Sequence, residues 1–130
     1  NPVFYVQYSF ARICSLFRSI DKTLNDKIKI EANNFKLNDN EIKILRKIFE
    51  WPKIVETASF KYEPHRIPYY LYELATLFHA YWSKGNEDQN YKFINNGKIK
   101  NIGTLSIIVL ISIVLQRGMN ILGVSLPDKM

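Results

Sequence analysis

The sequence predicts an all-α fold, a bundle of about five helices, and three observations support this prediction. Apolar residues recur at intervals of three and four in several segments, a capping-box pattern precedes one of them, and segments rich in Pro, Gly and Asn separate them. A content of 47% hydrophobic residues is too high for a disordered chain. We therefore expect a single domain over residues 1–130, built around one core.

The first predicted helix contains the segment YVQYSFARICSLFR and has two different faces. Its apolar stripe consists of residues spaced by 3, 4, 3, 4 and 3, namely Val3, Val6, Phe10, Ile13, Phe17 and Ile20. At about 100° per residue, a second face collects Tyr5, Tyr8, Arg12, Ser15 and Ser19. The polar segment that follows Asp21 predicts that the helix ends there in a connection.

Two shorter helices are predicted next. Asn38 and Glu41 have the spacing of a capping box, so a second helix should begin near residue 39. Its predicted apolar stripe consists of Ile42, Leu45, Ile48 and Phe49, and the charges between these positions are expected to face solvent. Pro52 is compatible with the first turn of a third helix over WPKIVETASF, and Pro64 and Pro68 mark the next boundary.

The C-terminal half predicts two longer helices joined by a loop. The stripe of the fourth helix consists of Ile67, Leu71, Leu74, Phe78 and Trp82, and we expect this helix to end near Gly85. The segment KGNEDQNYKFINNGK reads as a loop. The segment from Ile102 to about Leu122 has β-branched residues but helical length, and we predict a helix. Its apolar run LSIIVLISIVL has 11 residues, too few to span a bilayer, and should be core.

No motif in the sequence predicts catalysis. Phosphate-binding glycine motifs and H-E-x-x-H are missing, and one Cys with two distant His makes no plausible zinc set. A nucleophile would have to be Cys14 with His65 or His79, but Cys14 lies between apolar helical positions, where cysteines are commonly inert. Because a single cysteine cannot form an internal disulfide, we expect a reducing compartment.

Charge and aromatic content favour binding to a polyanion. The net charge is +6 and the sequence pI is about 9.4, which suits nucleic acid or an acidic membrane surface. Rings with an interleaved arginine, as in the row Tyr5, Tyr8 and Arg12, can stack on unpaired bases and pair with phosphates. The alternative is that the two tyrosines cover a neighbouring helix and that Arg12 pairs with a carboxylate.

Four segments together resemble a known family. NPVFYVQYSFARICSLFR, WPKIVETAS, EPHRIPYYLYELATLFHAYW and the closing GMNILGVSLPDKM are similar, in this order, to the C-terminal, DALR-type anticodon-binding domain of bacterial arginyl-tRNA synthetases. The resemblance covers nearly the whole chain, and the WSKGN…YKFI loop is similar to that of a bacterial subset. It implies the all-α bundle of class I synthetase anticodon-binding domains, in agreement with the periodicity.

The resemblance also implies a function and a partner. The H-x-G-H-like and K-M-S-K-like signatures of the catalytic core are missing from these residues, so we expect a fragment without catalytic residues. Arginine, ATP and Mg²⁺ would be bound by another part of a cytoplasmic, monomeric arginine–tRNA ligase. This part would bind the anticodon stem-loop of arginine tRNA, with no cofactor, no metal ion and no membrane.

The residues that would contact the anticodon loop also follow from the resemblance. They are Tyr5, Tyr8, Arg12, Trp82 and Met130, with Gln7 and Tyr81 as neighbours. Trp82 stands where relatives usually have tyrosine, which keeps a stacking face but loses the phenol hydroxyl. Two rival functions remain open, namely the anticodon-binding domain of another class I synthetase, such as the cysteinyl enzyme, and a helical protein-interaction module.

Overall fold

The computed structural model describes residues 1–20, 36–95, 98–99 and 102–130, and it confirms the all-α prediction. Its helices are α1 (Pro2–Ser19), α2 (Asp39–Phe49), α3 (Trp51–Phe60), α4 (Arg66–Glu87) and α5 (Ile102–Leu122). Between α4 and α5 lie a 3₁₀ turn (Gln89–Tyr91) and two antiparallel strands, β1 (Ile94–Asn95) and β2 (Lys98–Ile99). The predicted connection after Asp21 lies outside the described residues.

Helix α4 is the centre of the bundle, because it contacts each of the other four helices. Leu71, Leu74, Ala75 and Phe78 are fully buried on it. Helix α5 comes so close that a Cβ atom on Gly118 would lie 2.6 Å from Cδ2 of Leu71. Glycine therefore permits this approach of the two helices, since a side chain at position 118 would force the buried Leu71 side chain to move.

The apolar stripe predicted for α1 forms part of a wider buried face. Val6, Phe10, Ile13 and Phe17 are buried as predicted, whereas Val3 at the start of the stripe is half-buried. The buried face also contains Ser9, Ala11, Cys14 and Leu16. It is wider than one stripe because α1 packs against both α4 and α5.

The capping box of α2 is confirmed, and its predicted apolar stripe is correct at Ile48, which is buried, and at Leu45, which is half-buried, but wrong at Ile42 and Phe49, which are exposed. The Glu41 backbone N–H donates to Oδ1 of Asn38 (2.9 Å), and the Asn38 N–H donates to Oε1 of Glu41 (2.9 Å). The buried residues of α2 are Glu41, Ile44 and Ile48, whereas Phe49 is 72% exposed. The helix is turned this way because the side chain of Glu41 enters the core, where it finds hydrogen-bond donors.

The buried carboxylate of Glu41 joins three helices. Its Oε2 atom accepts hydrogen bonds from the Tyr81 hydroxyl of α4 and the Thr104 hydroxyl of α5, each at 2.7 Å. Its second oxygen accepts from the Asn38 N–H, so both oxygens of a 2% exposed side chain have donors. Burial, together with the neighbouring carboxylate, raises the pKa of the Tyr81 phenol well above its ordinary value. Tyr81 therefore stays protonated and acts as a donor.

The stripe of α4 is confirmed except at its end. Ile67, Leu71, Leu74 and Phe78 are buried, but at the next turn Tyr81 is buried instead of Trp82, which is half-buried. Helix α4 ends at Glu87, close to the predicted end near Gly85.

Helix α5 is a helix as predicted. The 11-residue apolar run is only part of a 21-residue helix, which is long and apolar enough to cross a membrane by length and composition alone. It packs against α1, α2 and α4, and buries Ile107, Ile108, Ile111 and Leu115 among others. This burial is typical of a core helix in a bundle.

Replacing the Tyr81 hydroxyl tests the buried network. We expect Tyr81→Phe to lower the free energy of unfolding by about 1–3 kcal/mol, because Glu41 loses a donor in a buried position. Urea denaturation of the chain measures this change. Tyr69→Phe is the control, since Tyr69 is 66% exposed, and should stay within about 0.5 kcal/mol of the wild type. An equal effect of both substitutions would contradict the role of the network.

Tyr62 provides a test in which a substitution is expected to stabilise the protein. It has φ +53° and follows the C-cap of α3, where the Glu63 N–H donates to the Ala58 carbonyl (2.9 Å) and the Tyr62 N–H to the Ser59 carbonyl (3.3 Å). This is a Schellman motif at the position that usually holds glycine.

We expect Tyr62→Gly to raise the free energy of unfolding by about 0.5–1 kcal/mol, because glycine removes the left-handed backbone strain and the Tyr62 side chain is 91% exposed. Urea denaturation is again the measurement. Tyr69→Gly, within α4, should instead destabilise the protein by about 0.5 kcal/mol. A loss of stability in Tyr62→Gly would show that the exposed ring contributes more than the backbone strain costs.

Candidate nucleic-acid interface

Tyr8 and Arg12, two of the three residues in the row predicted on α1, lie close to Trp82 of α4 at the protein surface. Tyr8 and Arg12 lie one turn apart, and Nη2 of Arg12 donates to the Tyr8 hydroxyl at 2.7 Å. The Arg12 guanidinium carbon lies 4.8 Å from the ring centroid of Tyr8 and 4.8 Å from that of Trp82. We call Tyr8, Arg12 and Trp82 the Arg12 cluster. Its two rings hold the guanidinium by cation–π contacts.

A groove of about 520 Å³ opens beside the Arg12 cluster, and we call it the first groove. Its lining residues are Tyr8, Ala11, Arg12, Ser15, Arg18, Trp82, Lys129 and Met130. Three of them are cationic and none is acidic. Such a lining attracts anions.

The alternative in which Arg12 pairs with a carboxylate is not what the structure shows. None of the ion pairs formed within residues 1–20, 36–95, 98–99 and 102–130 includes Arg12. Its positive charge is therefore not neutralised by an acidic side chain in this part of the protein, and it can interact with an anionic ligand.

The C-terminal segment is held along α1 by two side chains. Nε2 of Gln7 donates to the Ser125 carbonyl oxygen at 2.8 Å, and Nη1 of Arg18 donates to the Asp128 carbonyl oxygen at 3.1 Å. These contacts bring Lys129 and Met130 to the first groove. Gln7, predicted as a neighbour of the site, thus contacts the C-terminal segment.

Tyr5 packs against α4 at the edge of the site. Its ring centroid lies 5.2 Å from that of Tyr72 and 4.5 Å from that of His79. The alternative in which Tyr5 and Tyr8 cover a neighbouring helix therefore describes Tyr5. Tyr8 also contacts α4, through the ring of His79, but 42% of it remains exposed.

His79 of α4 packs against the rings of Tyr5 and Tyr8. Its ring stacks on Tyr8 (centroids 5.7 Å apart, 19° between planes), and its Nε2 lies 2.9 Å from the Ser9 hydroxyl oxygen. The Ser9 hydroxyl donates to the Tyr5 carbonyl oxygen, so it accepts from Nε2–H of His79. Burial, and then the charge of Arg12, lower the pKa of His79 below its ordinary value. At pH 7 the ring is therefore neutral.

The structure brings together four of the predicted site residues, namely Tyr8, Arg12, Trp82 and Met130. Tyr81 is not among them, because it is 1% exposed and its hydroxyl donates to Glu41 in the core. Sequence reasoning missed Arg18 and Lys129. Arg18 could have been found from its spacing, since residues 8, 12, 15 and 18 follow one helix face, whereas Lys129 joins only through the fold.

Nothing in the described residues points to catalysis. Burial raises the pKa of the Cys14 thiol, which disfavours the nucleophilic thiolate. In the part of the chain that the structure describes, no group of three or more His, Cys, Asp and Glu side chains could hold a metal ion. The first groove is lined instead by aromatic rings and cations.

Comparisons with known proteins identify relatives of this chain. An arginine–tRNA ligase of Pelagibacter ubique is 48% identical and one of Bartonella henselae is 42% identical. Both matches cover 100% of this chain, but only 22% and 23% of those proteins. The chain thus spans less than a quarter of the length of these relatives.

A solved structure and a family model complete the comparison. A crystal structure described as that of an arginyl-tRNA synthetase from Campylobacter jejuni superposes with a TM-score of 0.75 at 24% identity. It covers 100% of this chain and 27% of the other, and supports the same fold. The family model of the DALR anticodon binding domain matches residues 6–130. The chain therefore belongs to the DALR anticodon-binding domain family.

Proposed function

We propose that this chain is the anticodon-binding domain of an arginine–tRNA ligase and that the first groove contacts the anticodon loop of arginine tRNA. One observation carries the proposal, namely an arginine held between two rings, without a carboxylate partner in the described residues, in a groove with two further cations. The net charge of +6 is consistent with a polyanionic partner.

Each group in the first groove has a chemical role in this proposal. Arg18 and Lys129 neutralise phosphates of the loop, which positions the RNA without reading its sequence. The exposed ring of Tyr8 offers a stacking surface to an unpaired base. Arg12, whose guanidinium is already oriented by two rings, contacts a phosphate or a base edge.

The parent enzyme would carry out ATP-dependent arginylation with its remaining residues. The arginine–tRNA ligases among the relatives are more than four times as long as this chain, which leaves room for a catalytic domain that binds arginine, ATP and Mg²⁺. Docking of the anticodon loop here would position the acceptor end of the same tRNA in that domain. We place this enzyme in the cytoplasm as a monomer.

A protein-interaction module is the second candidate. Exposed aromatic residues away from the first groove, such as Phe49 (72% exposed) and Phe60 (79% exposed), would suit an apolar partner. The first groove favours RNA instead, because its lining includes Arg12, Arg18 and Lys129 and no acidic residue. The two candidates differ in their response to salt, since only binding to a polyanion weakens steeply as salt is added.

Removing Arg12 tests the proposed site directly. We expect Arg12→Ala to weaken binding of an arginine anticodon stem-loop by about 10-fold or more and to reduce the salt slope by about one, because one cationic contact is lost. Fluorescence anisotropy at several salt concentrations measures both. Arg46→Ala is the matched control, since it removes the same charge from an exposed position of α2. Equal affinities of the two variants would refute the site, and salt-independent binding would favour the protein-interaction module.

The parent enzyme offers a kinetic test. We expect Tyr8→Ala to lower kcat/KM for arginine tRNA by about 5-fold or more, because the stacking surface and a contact that orients Arg12 are both lost. The KM for arginine should stay unchanged, because arginine would be bound by another part of the enzyme. Steady-state arginylation assays measure both constants. Tyr69→Ala, at an exposed aromatic position that does not line the first groove, is the control. A changed KM for arginine with an unchanged kcat/KM for tRNA would contradict the assignment.

A further inference from the structure

His79 of α4 is a titratable group beside the first groove, and the proposed function gives it no role. It is half-buried, and its ring stacks on that of Tyr8, which lines the first groove. Burial lowers the pKa of the ring, and the positive charge of Arg12 lowers it further. A proton on His79 would therefore place a second charge beside two residues of the Arg12 cluster.

One nitrogen of the His79 ring is bonded within the protein, and the other can take up a proton. The Nε2–H group donates to the Ser9 hydroxyl, which itself donates to the Tyr5 carbonyl oxygen. This bond is kept in both charge states of the ring, because Nε2 carries a proton in each. Nδ1 has no hydrogen-bond partner in the described residues, where no side-chain polar atom is both fully buried and unpaired, so Nδ1 reaches solvent. The ring can therefore gain a charge without changing its position.

In the part of the chain that the structure describes, no carboxylate stabilises a charge on this ring. Helix α1 is packed against it and presents Tyr5, Tyr8 and Arg12, and Phe78 is its neighbour on α4. Among the described residues, no ring contact, hydrogen bond or charge effect reaches His79 from α2, α3 or α5. The proton is therefore disfavoured on His79 as long as the first groove holds no anion.

An RNA strand in the first groove would reverse this preference. Its phosphates bring negative charge next to Arg12 and offset the positive field at His79, which favours the protonated ring. The complex then holds the proton more tightly than the free protein does. Because linkage is reciprocal, the RNA must bind more tightly when the proton is present.

We propose that His79 is a positioning residue of the first groove that takes up a proton when the RNA binds, so that binding strengthens as the pH falls. The protonated ring stays stacked on Tyr8 and adds a cation–π contact behind it. It also adds one positive charge to those of the three cations that line the first groove. This proposal rests on the proposed function, because the polyanion in the first groove is what shifts the proton equilibrium.

Binding measured as a function of pH tests the proposal. Histidine is the only side chain whose ordinary pKa lies between about 5.5 and 7, and the chain has two, His65 and His79. With the arginine anticodon stem-loop as probe, we expect the affinity of the wild type to rise by about 3- to 10-fold from about pH 7 to about pH 5.5. Fluorescence anisotropy at constant salt measures this change.

Two glutamine variants assign the pH dependence to one histidine. His79→Gln keeps an amide donor for Ser9 but cannot be protonated, so it should lose most of the rise in affinity. His65→Gln is the matched control, since His65 is exposed and does not line the first groove. It should keep the rise in full.

The titration of the His79 ring gives a test that needs no substitution. NMR signals of the imidazole carbons report the pKa of the ring in the wild type, with and without the stem-loop. We expect the pKa of His79 to rise when the RNA binds, by the amount that accounts for the gain in affinity, since linkage requires the two to agree. Arg12→Ala leaves the ring buried but removes the charge of Arg12, so it should raise the pKa of His79 in the unbound protein.

The proposal is overturned if the affinity of the wild type does not depend on pH, if His79→Gln keeps the full rise, or if the pKa of His79 is the same with and without RNA. The same titrations separate it from the proposal on which it rests. If the wild type shows no salt-sensitive binding to the stem-loop at any pH, both proposals fail. If the wild type binds and Arg12→Ala is weakened, but one of these three results is obtained, the proposed function stands and only the proton uptake at His79 is refuted.

Discussion

The buried carboxylate of Glu41 is the constraint on which the other features depend. Its two oxygens accept hydrogen bonds from the backbone N–H of Asn38, which caps its own helix, and from the hydroxyls of Tyr81 in α4 and Thr104 in α5. It therefore fixes the mutual positions of three helices. Because Tyr81 must face this carboxylate, the next residue of α4 is turned by about 100° toward the surface. That residue is Trp82, which contacts Arg12. The hydrogen bonds of Glu41 in the core thus help to determine the orientation of the Trp82 ring beside the first groove.

Periodicity predicted the helices well because the spacing of apolar residues is a local property. It failed where a side chain is placed by residues far away in the chain. Glu41 is buried because Tyr81 and Thr104, 40 and 63 residues further along, donate to it, and no local pattern contains this information. Tyr81 is buried in the core instead of Trp82 for the same reason, because its hydroxyl donates to the distant Glu41. Tyr8 and Arg12, by contrast, are one turn apart, and their proximity could be predicted from sequence alone.

The residues of the predicted site divide into those that face the first groove and those that support it. Tyr5 and Gln7 make contacts within the protein, Tyr5 with α4 and Gln7 with the C-terminal segment. His79, which no sequence pattern singled out for this role, stacks on Tyr8 and joins it to Ser9. Such support holds the exposed groups in one geometry before binding, so less conformational entropy is lost when a ligand is bound.

The attachment of the C-terminal segment to α1 has a consequence for how this surface can evolve. Gln7 and Arg18 both donate to main-chain oxygens, those of Ser125 and Asp128, rather than to side chains. Every amino acid offers the same carbonyl group, so substitutions at positions 125 and 128 preserve both hydrogen bonds as long as the backbone keeps its path. Substitutions at positions 125 and 128 therefore leave this attachment intact, whereas a substitution of Gln7 or Arg18 by an apolar residue removes one of its two hydrogen bonds.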